Sequence, residues 1–517
     1  MRNQFNQVQA RRPKKSAFDL SHEKKLSMNM GDLVPIMLQE VLPGDKFQVS
    51  SEVLMRLAPM LAPVMHRVNV YTHYFFVPNR IIWQGWENFI GGGQDGDDQT
   101  VPPIIGANAG FQNYLKKGSL ADYFGIPVAD DTPITQGINL NELPFRAYQE
   151  IYNEYYRDPN LSNPVPFSKV DPNTQEAQFE LMTLRKRAWE KDYFTSAMPW
   201  AQRGGEVGTP VDFNYRKPSL VRKATDDSLI GSTQPLESNG TGSGLHTPAI
   251  GDLYLDSLEE EGVTVSINEL RKSVRLQEWL EKNARGGYRY LEQLLHHWGV
   301  ISSDARLQRP EYLGGGRQPI TISEVLQTSA TVVDGELPHE NLPPSPQGNM
   351  SGHGISVGRS NRFKKRFEEH GHVIGIMSVL PRTTYQNGLE RMWSREDKFK
   401  YAWPEFAQLG EQEILSREVY HDWQNPNISD TFGYQSRYAE YKYKQSTVHG
   451  DFRDSLYYWH MGRIFESRPV LNEAFVTSDP TQRIFNVDDE EVHKLYVQIY
   501  NSVKAIRPLP FFNTPTL

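Results

Sequence analysis

Cysteine is missing from all 517 residues, which excludes disulfide staples, iron–sulfur clusters and thiolate metal sites. Stability must therefore come from packing or from assembly with other chains. Long apolar runs are missing too. None approaches the roughly 18 to 20 residues that a membrane-spanning helix requires, so no membrane insertion is expected. The opening stretch MRNQFNQVQARRPKK is basic and lacks the apolar segment of a secretory signal. The chain is expected to work in a cytosol. No repeat with a period of about 20 to 50 residues recurs, which excludes a solenoid.

What the chain does contain is aromatic. Tyr, Phe and Trp make up 11% of it, within a hydrophobic share of 38% and beside 23% charged residues, the balance of a folding chain. Its 34 prolines and 39 glycines require many fixed turns and long connections. A chain of this length buries a sizeable core in one elaborated domain or several ordinary ones. The combination points to a large β-rich structural module before it points to an enzyme.

Charge is unevenly placed. Through Lys25 there are seven basic residues (Arg2, Arg11, Arg12, Lys14, Lys15, Lys24 and Lys25) against Asp19 and Glu23, a net +5 on a chain whose total is −8. A cationic arm on an acidic body reaches toward a polyanion and neutralises phosphates without reading sequence. Arg2, Arg11, Arg12, Lys14 and Lys15 are the candidate nucleic-acid contacts, with Phe5 or Phe18 as platforms for unstacked bases. The plainer alternatives are a solvated tail and phenylalanines that dock the arm onto the body.

Strand signals lie near both ends. Residues 47–54 read as a short strand. Residues 65–77 are clearer: Val68, Val70, Thr72, Tyr74 and Phe76 fall on one side of a two-residue period, opposite Arg67, Asn69, Tyr71, His73 and Phe75. One face should enter the core and the mixed face should meet another layer or subunit, with Pro78 ending the strand. Residues 371–380 read as a buried strand and 492–500 as an alternating one, followed by an irregular proline-containing tail. Helices are expected over 144–156, over 174–193 with Phe179, Met182 and Trp189 on one stripe, and from Ser266 to the Gly286-Gly287 stop. Ser266 and Glu269 have capping-box spacing there. A short helix through Leu291, Leu294, Leu295 and Trp298 should end at Gly299. The stretch 202–262, rich in Gly, Ser, Thr and Pro, reads as a surface excursion, and 334–358 as a Pro/Gly-rich connection. A closed antiparallel domain with large insertions explains this spacing better than regular βαβ units.

Catalytic motifs do not gather. Gly354-Ile355-Ser356-Val357-Gly358 matches G-x-S-x-G, but the residues before it are poor strand material, so the expectation is a flexible glycine-rich loop rather than a nucleophile elbow. His296 with His297 and His370 with His372 lack metal-binding spacing. Asp95, Asp97 and Asp98 lack the spacing of a calcium loop, and Asp488-Asp489-Glu490-Glu491 reads as a solvated run. Gly314-Gly315-Gly316 lacks the lysine of a phosphate loop and reads as a turn. No cofactor, no metal and no enzymatic activity are expected. Trp83, Trp86, Trp393 and Trp403 are expected to pack in the core or between subunits.

Long blocks of the chain strongly resemble the major capsid protein of gokushoviruses, small icosahedral single-stranded DNA bacteriophages of the microvirus group. The blocks include FDLSHEKKLSMNMGDLVPIMLQEVLPGDKF (18–47), RLAPMLAPVMHRVNVYTHYFFVPNRIIWQGWENFI (56–90), residues 270–300 and 304–316, GHVIGIMSVLPRTTYQNGLERMWSR (371–395), residues 403–414 and RPLPFFNTP (507–515). The resemblance implies a mainly β fold, an eight-stranded antiparallel viral jelly roll with long loop and helix-containing insertions, and places 68–76, 371–380 and 492–500 among its strands. It implies a basic arm over 1–30, a single jelly-roll domain over 31–500, a variable insertion over 202–262 that builds threefold protrusions, and an extended tail over 501–517. Sixty copies are implied, in a T=1 shell around a circular single-stranded DNA genome, assembled in a bacterial host's cytoplasm. The implied partners are a small basic DNA-packaging protein, a minor or pilot protein, a transient scaffolding protein and a host cell-surface receptor engaged by the protrusions. The alternative reading is a nonspecific single-stranded DNA-binding protein that forms no shell.

Overall fold

Two antiparallel sheets share one apolar core, and a helical layer covers the second face of one of them. The computed structural model describes residues 14–94, 98–130, 132–170, 173–205, 207, 267–326, 350–425, 430–487, 489 and 492–512, together with the backbone of four short strands between 221 and 255. In chain order the sheet strands are β1 (Ser16–Asp19), β2 (His22–Met28), β3 (Val34–Val41), β4 (Lys46–Leu57) and β5 (Val68–Pro78). They continue as β6 (Glu311–Pro319), β7 (Thr321–Leu326), β8 (Met350–Arg366), β9 (Gly371–Pro381) and β10 (Leu495–Arg507). One sheet runs β1-β10-β4-β8-β7, with β2 also paired to β10, and the other runs β6-β5-β9-β3.

Alternation explains the first sheet. β4 and β10 put every second side chain inward, so Phe47, Val49, Val53 and Met55 meet Leu495, Val497, Ile499 and Val503 in one buried cluster. Val70, Tyr74, Phe76, Val373, Met377 and Val379 complete that cluster from the second sheet. A strand buried on one face alternates in this way, whereas a central strand buried on both does not. β9 is buried along its whole length, and β5 is buried at every position but His73. Their other face carries Phe75, Val77, Ile374 and Ile376 into a second cluster with Phe145, Tyr148 and Ile151 of helix α1 (Leu143–Ile151). The mixed face read in residues 65–77 thus meets a helical layer. The helix continues as a π-turn over Tyr152–Tyr156, which sets the Tyr155 ring 4.8 Å from Phe75 and Tyr156 Oη 2.9 Å from His73 Nδ1.

Several elements depart from expectation. The helix sought over 174–193 is only α2 (Gln175–Met182), capped by Thr174. Beyond it the backbone is taken by other segments: Arg185 O accepts Leu33 N–H at 2.9 Å, and Trp189 N–H donates to Val476 O at 2.8 Å. These tertiary bonds replace an i to i−4 ladder. The motif Gly354–Gly358 lies inside β8 rather than in a loop. Gly314-Gly315-Gly316 lies inside β6 rather than in a turn. A β-carbon on Gly315 would stand 2.3 Å from Thr72 O, so the glycine permits close pairing with β5 rather than a reversal. β10 runs to Arg507, beyond the expected strand end, because its buried alternation persists through Ala505.

The chain divides into two compact units, Met1–Ala201 with Arg289–Leu517, and Gln202–Tyr288. The second holds four short antiparallel strands, at 251–255 beside 221–223 and 245–247, with 237–238 beyond the latter. It also holds helix α3 (Ile267–Gly286), stopped by Gly287 at φ +97°; its expected cap, Ser266, lies outside the described residues. Helix α4 (Tyr290–Trp298), in the first unit, ends as expected at Gly299, whose φ is +69°.

Candidate nucleic-acid interface

Of the five arm residues expected to touch nucleic acid, Arg2, Arg11 and Arg12 lie outside the described residues, as does Phe5. Lys14 is exposed. Lys15 donates from Nζ to the carbonyl of Gly44, in the turn between β3 and β4. This contact ties the chain to its own body rather than offering it to a ligand. The arm is also shorter than 1–30, because Ser16–Asp19 and His22–Met28 are sheet strands on β10. Phe18 is stacked on Phe511, with centroids 6.0 Å apart and planes 9° off parallel. It docks the segment, as the plainer reading had it.

The structure gathers a different set of cations. On β4, β8 and β10 the side chains that do not enter the core point to the opposite face of the first sheet. Register then stacks them in rows. Lys504 stands opposite Gln48, which stands opposite Lys364; Ile506, Lys46 and Arg366 form the next row; Ser502, Ser50 and Arg362 form the one before. Lys46, Arg362, Lys364, Arg366 and Lys504 are all exposed, and none forms an ion pair with a described residue. Farther along β10 the same face presents Tyr496 and Tyr500, 45% and 41% exposed. The acidic groups beside this face are Glu52, opposite Tyr500, Asp19, opposite Lys504, and Glu23, also opposite Tyr500. Cations with aromatics farther along the same sheet face suit a flexible polyanion whose bases can stack.

No single stretch of sequence announces this face, since its members are hundreds of residues apart. One signal was present: Arg362, Lys364 and Arg366 have the two-residue spacing of one strand face.

The suspected catalytic and metal features resolve structurally. Ser356 is buried, with its hydroxyl donating to Pro319 O at 2.9 Å and accepting from Gln318 Nε2 at 3.0 Å. A nucleophile would need a base in that position. His372 is buried, and desolvation lowers its pKa to about 4. His296 and His297 are neighbours on α4 with rings 4.4 Å apart. Asp98 accepts from the Thr100 backbone N–H at 2.7 Å in a local turn; Asp95 and Asp97, like Asp488, Glu490 and Glu491, lie outside the described residues. Among the described residues no group of three or more His, Cys, Asp or Glu side chains could hold a metal ion, and no helix is long and apolar enough to cross a membrane. Trp83 is buried and Trp86 packs beside it, whereas Trp393 is 72% and Trp403 44% exposed.

The sequence profile of the family described as "Capsid protein (F protein)" matches residues 6–517. The chain belongs to this capsid-protein family. It is 35% identical to capsid protein VP1 of Chlamydia phage 1, over 100% of this chain and 98% of that one. It is also 35% identical to capsid protein VP1 of Bdellovibrio phage phiMH2K, over 99% and 97%. Identity to capsid protein VP1 of Spiroplasma virus 4 is 30%, over 97% and 95%. The chain is thus a VP1-type capsid protein of the single-stranded DNA phage group, a structural protein. A capsid protein must meet copies of itself on some surfaces and a genome on others, and the cationic sheet face is the candidate for the second task.

Proposed function

We propose that sixty copies of this chain close into a T=1 icosahedral shell around a circular single-stranded DNA genome, with the cationic face of the first sheet turned toward the DNA. The observation that carries the genome-facing assignment is the row pattern of Lys46, Arg362, Lys364, Arg366 and Lys504 on one exposed face. The fold is read as a viral jelly roll of eight strands. Its two four-stranded sheets are β2-β10-β4-β8 and β3-β9-β5-β6, with β1 and β7 as additions; the two sheet orders and the shared core support that reading. Jelly rolls leave long loops free to tile neighbours, and closed symmetry limits growth. Exposed aromatics between β9 and β10, Trp393, Phe399 and Trp423 among them, support contact with other copies, because large apolar groups in water mark association surfaces.

The finer organisation follows from the same reading. Residues 202–262 form an outward protrusion that takes part in host attachment through a cell-surface receptor. Residues 501–517 end in a tail lying against the body or a neighbour, and the segment before Ser16 is the basic arm that adds to DNA retention. Assembly occurs in the bacterial host cytoplasm with a transient scaffolding protein, and the virion also holds a small basic DNA-packaging protein and a minor or pilot protein.

Sedimentation of purified material, with its nucleic-acid content measured, tests the proposal. A discrete multimegadalton particle containing single-stranded DNA is expected. Soluble monomers that bind DNA at every concentration would overturn it in favour of the shell-free DNA-binding protein.

A further inference from the structure

The cationic face runs at one end into a cavity. Between the β2–β10 edge and residues 117–123 lies a pocket of about 420 Å³, within the size range of sites for small ligands. Lys24, Lys25, Lys117, Asp122, His493 and Tyr496 stand on its walls. Tyr496 belongs both to the pocket and to the exposed face. From it β10 runs to Lys504 among the cation rows, a span of about 27 Å at the usual strand rise of ~3.4 Å per residue.

The walls are fixed by contacts of their own. Gly118 has φ +75°, and a β-carbon there would stand 2.6 Å from the His493 ring. His493 Nδ1 lies 2.9 Å from Ser27 Oγ. The Asp122 carboxylate accepts the Gly118 N–H at 2.8 Å, and Tyr123 Oη donates to Ser27 O at 2.6 Å. A pocket held open in this way needs little reorganisation on binding.

Its cations are under-paired. Lys24 Nζ donates to Pro35 O at 2.8 Å and to Tyr123 O, both neutral acceptors. An ammonium carries three donors, so one remains. No described carboxylate lies within ion-pair distance of Lys24, and Asp122 acts on it only at longer range. Burial accordingly lowers its pKa to about 8. Lys117 is exposed and forms no ion pair with a described residue. Lys25 has Glu23 at 3.8 Å, with both side chains largely in water, a pairing of little strength. Asp122 is the one carboxylate on the described wall, and it is engaged by the backbone.

We propose that this pocket is a nucleotide subsite that takes one unit of single-stranded DNA, its phosphate against Lys24, Lys25 and Lys117 and its base against the Tyr496 ring. The proposal rests on the genome-facing reading of the sheet and adds a fixed point to it: a strand held loosely along the cation rows is pinned where β10 begins.

The test uses the full chain and three probes: a twelve-residue oligothymidylate carrying 5-bromodeoxyuridine, thymidine monophosphate, and inorganic phosphate. Lys117→Glu, at an exposed site, should weaken oligonucleotide binding about tenfold with the thermal midpoint unchanged. Lys25→Glu, on an exposed strand position, serves as the second variant and should do the same. Photocrosslinking should label the peptide containing Tyr496, and Lys117→Glu should abolish that label. Wild-type affinity in both variants, with crosslinks only elsewhere, would overturn the proposal. Monophosphate or phosphate binding as tight as the oligonucleotide, with no crosslink at Tyr496, would overturn it in favour of a free-anion site. The combined Lys46→Ala, Lys364→Ala and Lys504→Ala variant separates the two readings: if it binds DNA normally while the Tyr496 crosslink persists, the extended face fails and the subsite stands.

Discussion

Arg146 and Glu142 are both fully buried one helical turn apart, with Nε 3.2 Å from Oε1. Burial is the main influence lowering the Arg146 pKa, and Glu142 opposes it. The guanidinium also donates to Ile82 O at 3.1 Å, and Glu142 accepts from Asn173. Such a pair stabilises little against an apolar substitute, but breaking it strands a charge. Arg146→Met should therefore cost about 3–5 kcal/mol in denaturant melts, and adding Glu142→Leu should recover most of the loss. Three histidines, His372 buried and His66 and His73 half-buried, set a pH dependence. Burial first, aided at His73 by Arg187, holds His66, His73 and His372 neutral in the fold with pKa values lowered to about 4. Unfolded, they titrate near the ordinary imidazole value of about 6.5. Between those values the unfolded chain binds more protons, so these groups make stability fall as pH drops from about 6.5 toward 4. Asp32, raised to about 6 chiefly by burial, works in the opposite direction over part of that range. His372→Leu should shrink the drop in thermal midpoint between pH 7 and pH 4.5; an undiminished drop would remove His372 from the account.

At the scale of elements, the cation rows make a quantitative claim. Each phosphate neutralised on single-stranded DNA contributes about 0.7 to the slope of log affinity against log salt. Replacing Lys46, Lys364 and Lys504 with alanine should lower that slope by about 2, measured by fluorescence anisotropy over a salt series. Much of the sheet was legible beforehand. Residues 47–54 and 492–500 alternate because one face is wet, and 371–380 is mostly apolar because both faces are covered. What the sequence concealed has three physical causes. Glycine signals both a turn and a close approach of backbones, so Gly314-Gly315-Gly316 and Gly354–Gly358 read as loops although both are strands. Helical propensity in 183–193 gives way to tertiary backbone bonds that no local pattern encodes. The interface was hidden for a third reason: strand register, which no window of sequence contains, brings Lys46, Lys364 and Lys504 together.

For the whole molecule, the exposed aromatics between β9 and β10 separate folding from assembly. Trp393 makes no part of the three buried clusters, so Trp393→Asp should leave the melting of the isolated chain unchanged while reducing particle yield in a sedimentation profile. An equal loss of chain stability would assign the residue to folding instead. The sheet order has a further consequence. β10 lies between β2 and β4, and Ser27 meets His493 across a sequence separation of 466 residues. Two strands synthesised early keep unpaired edges until a late one arrives between them. A ribosome that stalls before Leu495 releases a product whose first sheet is left unzipped, with its core cluster open to water. Such truncated chains lack the strand that joins β2 to β4, so the last-made part of the polypeptide is what closes its first-made sheet.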